Sequence, residues 1–341
     1  MKRLSYISVI LVSVFLIVFL SACGKAADTT ENEGEESSGA TVLKVAFNQP
    51  ENHPQFKAME EFGEKLKERT DGKYEVEISP NELLGAQRET IELVQSGTIA
   101  MSIVGGSLME NFNEDFVVFN LPYVFDSKEH QKSVINNEDI VGDLYHSVED
   151  QGMIVLGAFH GGVRNVYNSQ SPIETPEDLA GMKIRVMESD TNVQMMEKMG
   201  GVGTPMGQGE VYTAIQSGVL DGAENNELVY NDLKHVEVAP YYSYTQHVML
   251  PDYLLINADL FKGMSEEHQA IFREELANAI DLEYDLFEED VDQAKKAAEE
   301  VGAQFNEVDV KVFQDAVRPL IEEKLTSEKA KEIYEKMQKL E

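Results

Sequence analysis

Tryptophan is absent from this 341-residue chain, cysteine occurs once, and positive charge is scarce. Each gap excludes something. A single cysteine, Cys23, rules out an internal disulfide. With 28 Lys and Arg against 62 Asp and Glu, the formal charge is −34 at pH 7, so no basic surface is on offer to nucleic acid. Catalytic signatures are missing as well: there is no Gly-x-Ser-x-Gly elbow, Walker loop or His-Glu-x-x-His pair. The seven histidines are scattered without metal-ligand spacing, and no cofactor or metal is expected. The glycine-rich run 200–209 is interrupted by Pro205, lacks dinucleotide-binding spacing and reads as a structural turn.

What is present begins with an export signal. Lys2 and Arg3 precede an apolar run from Ile7 to Leu20, and Leu20-Ser-Ala-Cys23 resembles a bacterial lipobox. Residues 1–22 are therefore expected to be a lipoprotein signal peptide and Cys23 the lipidated residue. The apolar run is short for a membrane span, which needs about 20 residues. Loss of the leader would take the formal charge from −34 to −36. Residues 23–41 are small, polar and acidic, too poor in apolar surface to fold, and read as a tether. The body from Val42 onward is long enough for two domains.

Along the body, strand and helix patterns alternate, which is α/β grammar. Val42–Phe47 reads as a strand, and His53-Pro54 opens a helix whose apolar stripe runs through Phe56, Met59, Phe62 and Leu66. His53 there suits a cap better than a catalyst. Tyr74–Ile78 and Ile99–Val104 read as strands, and Gly105-Gly106 stops the second of them. Leu121–Phe125 reads as a packing loop. Met153–Phe159 is a buried strand that runs into Gly161-Gly162, where the backbone must bend. Val94-Gln-Ser-Gly-Thr-Ile-Ala-Met101 echoes Ile215-Gln-Ser-Gly-Val-Leu-Asp-Gly222, as if two domains shared one plan. Ser265 caps the longest helical pattern, which Gly302 stops; at 1.5 Å per residue it spans about 50 Å, enough to brace both domains.

The stretch Thr175–Asp190 carries the functional signal. Thr175, Pro176 and Asp178 start a short helix, Gly181 ends it, and Met182–Met187 follows as a strand. Arg185 sits inside that strand. A guanidinium on a buried strand is costly unless paired, and ligands of open α/β sheets bind at the carboxyl ends of strands. Arg185 is thus expected to await a ligand's carboxylate; the competing reading is an internal ion pair. Arg164 can supply a second clamp, and Asn225 and Asn226 offer amides to hydroxyls or to the carboxylate. Asp221 or Glu224 reads as a partner for an arginine rather than as half of a catalytic pair.

At these residues the chain resembles the solute-binding proteins of tripartite ATP-independent periplasmic (TRAP) transporters, over nearly all of Val42 to about Met337. The matching segments are LLGAQRETIELVQSGTIAM, GGVRNVYNSQSPIETPEDLAGMKIRV, GEVYTAIQSG and VLDGAENN. The resemblance implies an α/β, two-domain periplasmic-binding-protein-like fold with a long interdomain helix and a ligand cleft between domains. The division expected is 42–161 plus about 251–290 for domain I, and 162–250 plus about 291–341 for domain II. It implies that Arg185 clamps the carboxylate, with Arg164 as second arginine and Asn225 as the contacting asparagine; Asn48, His53 and Gln87 join the candidate binding set. Gln208 stands where some members stack an aromatic residue on the ligand, and Gly105 where sialic-acid binders place an acid. Asn226 extends the motif to Glu-Asn-Asn, as in members that bind hexuronates.

The expectation is therefore a monomeric, lipid-anchored receptor outside the cytoplasmic membrane, not an enzyme. It would bind a hexuronate or related sugar acid and deliver it to TRAP membrane subunits. Alternatives are a receptor for a four-carbon dicarboxylate or another monocarboxylate, a ligand-sensing co-receptor for a sensor kinase and, last, an exported sugar-acid lyase.

Overall fold

The computed structural model describes residues 39–340; the expected signal peptide, Cys23 and most of the tether lie outside the described residues. Nine strands form one mixed sheet: β1 (Thr41–Ala46), β2 (Tyr74–Ser79), β3 (Met101–Gly105), β4 (Met153–Asn168), β5 (Lys183–Val186), β6 (Val202–Pro205), β7 (Gly222–Asn225), β8 (Tyr241–Asn257) and β9 (Gln304–Glu307). Their spatial order is β2-β1-β3-β8-β4-β7-β5-β6, with β9 pairing alongside β8.

The order contains the same unit twice. β2-β1-β3 is parallel within itself and meets β8 antiparallel. β6-β5-β7 is likewise parallel and meets β4 antiparallel. In each unit the first strand is central and the third follows a helix that ends in Gln-Ser-Gly. The echo between residues 94–101 and 215–222 therefore marks equivalent places in two α/β lobes.

Strands β4 and β8, of 16 and 17 residues, pair with each other along most of their length and join the lobes. They bend where their register slips. Between His160 and Val163, β4 carries one residue more than its partner, and Gly162 there has φ +79°. Between Arg164 and Val166 the surplus lies on β8, around Gln246 at φ +48°. Such bulges bend a strand and re-aim its side chains.

The helix Glu266–Glu300 begins at the Ser265 cap, which accepts from His268 N, and ends before Gly302 at φ +108°. Its first half packs Ile271, Phe272, Leu276 and Ile280 into the core of the first lobe, with Phe62 and Met59. Its second half sets Phe287 and Ala294 against Leu228, and Ala298 into the aromatic core of Tyr167, Tyr230 and Tyr242. One apolar stripe thus serves both lobes. Among the described residues no helix is long and apolar enough to cross a membrane.

Two expectations are corrected. The glycine-rich run 200–209 is not all turn: Val202–Pro205 pairs with Lys183–Val186 as an edge strand, where Pro205 needs no partner for its nitrogen. The last helix, Glu328–Met337, packs on residues 114–119 and 138–146 of the first lobe, with Lys329 paired to Asp143 at 2.8 Å, rather than staying with the second.

Candidate functional site

Sheet geometry brings the candidate residues together. Arg185 on β5 pairs in register with Ala223 on β7, two residues before Asn225, and Asn225 on β7 pairs with Asn165 beside Arg164 on β4. All the candidate binding residues except Arg185 line one narrow cavity of about 20 Å³: Asn48, His53, Gln87 and Gly105 from the first lobe, Arg164, Gln208, Asn225 and Asn226 from the bend and second lobe. Met187 lines it too, and side chains two apart on an extended segment share a face, so Arg185 lies on the cavity side of β5.

The two arginines are in different states. The Nε and Nη2 of Arg164 donate to both carboxylate oxygens of Glu224, Nη2 reaching Oε1 at 2.8 Å, and Nη1 donates to Asn225 Oδ1 at 3.1 Å. Nη2 also meets the Glu224 carbonyl at 2.8 Å. Burial alone would lower the Arg164 pKa, but the Glu224 charge overrides it and the pKa is raised. Glu224 is fully enclosed, yet Arg164 and the nearby His247 Nε2, at 3.4 Å, bring its carboxyl down to about 2. The expectation that a glutamate or aspartate of this segment partners an arginine holds at Glu224. Arg164, expected as a second clamp, is instead already matched, because a buried charge so close to a carboxylate is neutralised by it.

Arg185 is equally buried, at 5% exposure, and has no such partner. Its Nε donates to Met206 O at 2.8 Å, and among the described residues it forms no ion pair. Burial, with the like charge of Arg164 behind it, holds its pKa below the usual arginine value, against the pull of Glu224. It is a cation confined beside a cavity with both terminal nitrogens open to an acceptor.

The remaining candidates divide by how far the fold already engages them. His53 caps the helix Pro54–Arg69, its Nδ1 accepting from Gln55 N at 3.3 Å. Burial and Lys57 lower its pKa to about 3, so it is neutral and its Nε2 carries the proton. Asn226 caps the helix Glu227–Asp232 through Val229 N at 3.0 Å and holds the Gly161 carbonyl at 2.9 Å, so its amide is structural. Asn225 accepts from Arg164 and from Asn226 N with one oxygen, which leaves its Nδ2 as a donor. Gln87 accepts from Gly105 N at 2.6 Å, and a Cβ on Gly105 would run into the Met187 methyl, so glycine keeps that corner open.

Gln208 spans the cleft: its Oε1 accepts from Asn48 Nδ2 at 3.3 Å and Gln49 Nε2 at 3.4 Å, while its own Nε2 is buried without a partner. A second crossing runs from Gly209 N to Glu82 Oε2 at 3.1 Å. Gln49, Gly161, Val229 and Asp252 also line the cavity and were not among the expected residues. Asp252 offered little to find it by, being one acid among 62 in a Pro-Asp pair that resembles a turn. Asp221, by contrast, binds Lys183 N at 2.8 Å and Gln170 Nε2 at 2.6 Å on the surface. A larger cavity, about 710 Å³, lies elsewhere; it has no arginine, and Asp126, Glu227, Glu288 and Asp292 outnumber Lys128 in its wall, which disfavours an acid.

Two α/β lobes of one plan, two shared bent strands and a helix bracing both define the periplasmic-binding-protein class. The chain belongs to the bacterial extracellular solute-binding proteins of family 7, the DctP family, which it matches over residues 45–328. A TRAP periplasmic solute-binding protein of Anaerococcus prevotii, solved with bound α/β-D-glucuronate, is 39% identical with a TM-score of 0.85, over 88% of this chain and 97% of that one. Another from Xanthobacter autotrophicus Py2, with β-D-galacturonate, is 32% identical with a TM-score of 0.83, over 86% and 98%. The 2,3-diketo-L-gulonate-binding periplasmic protein YiaO of Escherichia coli (strain K12) is 30% identical over 285 residues, 82% of this chain and 86% of its own.

Proposed function

We propose that this chain is the extracytoplasmic receptor of a TRAP transporter, taking a hexuronate or closely related sugar acid by its carboxylate on Arg185 and delivering it to the membrane subunits. Arg185 carries the reading: a buried guanidinium with one backbone hydrogen bond and no carboxylate partner is stabilised when an acid arrives. The glucuronate- and galacturonate-bound relatives support the ligand class. In this reading Arg164, held by Glu224, orients Asn225, whose free Nδ2 joins Arg185 at the ligand. Asn48, His53 Nε2 and Gln208 face the hydroxyls. Binding brings the lobes together about the bends in β4 and β8.

The wider assignment goes with this reading. The chain binds rather than catalyses, works as a monomer and is held outside the cytoplasmic membrane by a lipid on Cys23, after removal of residues 1–22. Its lobes are 42–161 plus about 251–290, and 162–250 plus about 291–327, with the last helix returned to the first.

Calorimetry against D-glucuronate, D-galacturonate, malate and pyruvate tests the proposal. One hexuronate should bind per chain, and Arg185→Lys should weaken it by about 2–5 kcal/mol, because lysine cannot give paired planar donors. Undiminished affinity in Arg185→Lys would remove the clamp.

A further inference from the structure

Asp252 is a second uncompensated charge in the cavity, and its sign is the wrong one for an acid. It lies on β8, paired in register with Phe159 on β4. Its Oδ2 accepts from Gln55 Nε2 at 2.8 Å, and the His160 carbonyl fixes that amide at 3.1 Å. Its Oδ1 has no hydrogen-bond partner among the described residues. Gly161 leaves the space before it open, since a Cβ there would stand 3.1 Å from Oδ1. No Lys, Arg or His among the described residues forms an ion pair with Asp252, and the guanidinium acting on it, Arg164, is already engaged by Glu224. Among the described residues, Arg185 beside the cavity is thus a cation without an acidic partner, and Asp252 in its wall is a carboxylate with one oxygen unbound.

Resting on the sugar-acid reading above, we propose that Asp252 is the specificity-determining residue that restricts the cleft to polyhydroxylated monocarboxylates and turns away the matching dicarboxylates. A hydroxyl donates to Oδ1 in a charge-assisted bond and completes a group the fold leaves half satisfied. A second carboxylate has no proton to give and meets a like charge in a site shielded from water. Gln208 Nε2 and Gln49 Oε1, both buried without partners in the same wall, are a donor and an acceptor, which again suits hydroxyls rather than a second anion. Arg164 cannot rescue a dianion while Glu224 holds it.

The test is calorimetry of the full receptor with D-glucuronate, D-gluconate and D-glucarate, the last being gluconate with its terminal CH2OH replaced by a second carboxylate, on wild type and Asp252→Asn. Wild type should bind glucarate about 100-fold or more below gluconate, and Asp252→Asn should narrow that ratio about tenfold or more. Asparagine preserves the contact with Gln55, and a thermal melt checks that the variant folds; the wild-type ratio stands without any variant. Glucarate bound within about threefold of gluconate by wild type, gluconate left unbound where glucuronate binds, or a ratio unmoved in Asp252→Asn, overturns the assignment of Asp252 alone. Binding of none of the three overturns the sugar-acid reading and this inference with it.

Discussion

Arg164 and Arg185 are both buried on neighbouring parts of one sheet, yet their pKa values move in opposite directions. Glu224 makes the difference by taking two edges of Arg164 and none of Arg185. Replacing it with glutamine keeps the shape and removes the countercharge, leaving Arg164 buried without a charged partner. Glu224→Gln should cost about 3–5 kcal/mol in urea unfolding, the range for breaking a buried pair from one side. A loss under about 1 kcal/mol would mean that Asn225 Oδ1 and the residue 224 carbonyl already satisfy Arg164 without the charge. Much at this scale could be read from the chain: an arginine inside an apolar strand asks for a partner, and a glutamate beside two asparagines is a plausible one. Which arginine it would serve could not be read, because that depends on the register between β4 and β7.

At the scale of elements, the bend is built from residues with no side chain to lose. Gly162 has φ +79°, and a Cβ there would stand 2.6 Å from Asn226 Nδ2, the amide that holds the Gly161 carbonyl and belongs to the cap of the next helix. Gly162→Ala should therefore cost about 1–3 kcal/mol for left-handed backbone and about 1 kcal/mol more for a disturbed cap. Chemical denaturation measures the sum, and hexuronate affinity should fall with it because Asn226 and Arg164 share the bend. The Gly-Gly pair announced this bend in the sequence. Its partner strand β8 gave no such notice: Tyr241–Asn257 is buried along most of both faces, so it lacks a period of two, and it contains Pro251 and a left-handed Gln246. The edge strand Val202–Pro205 was hidden for a related reason, since Gly203 and Pro205 read as turn residues until a neighbour pairs with them.

For the whole molecule, acidity sets two opposing groups of residues against each other. Burial pushes the Glu283 carboxyl well above its usual range and raises Asp252, Glu110 and Glu227, so these stabilise the folded state less as pH rises. Burial also lowers His53, His160 and His235 to about 3, and these lose stability as pH falls below about 6.5 because the unfolded chain takes up protons that the folded one refuses. Between about pH 4.5 and 6.5 the two sets pull in opposite directions. Below about 4.5 the raised carboxyls are protonated in both states and drop out, while Glu224, at about 2 when folded, joins the three histidines. From these four enclosed groups alone unfolding then takes up about four protons, a slope of roughly 5 kcal/mol per pH unit. Calorimetric melting from pH 3 to 8 should show a broad plateau above about 4.5 and a steep fall beneath it, shifted only slightly by salt because the groups responsible are enclosed. Stability that instead climbs as pH falls from about 6.5 to 4.5, with a shallower fall beneath, would mean that the histidines reach water, and with them the wall of the cleft that His53 forms.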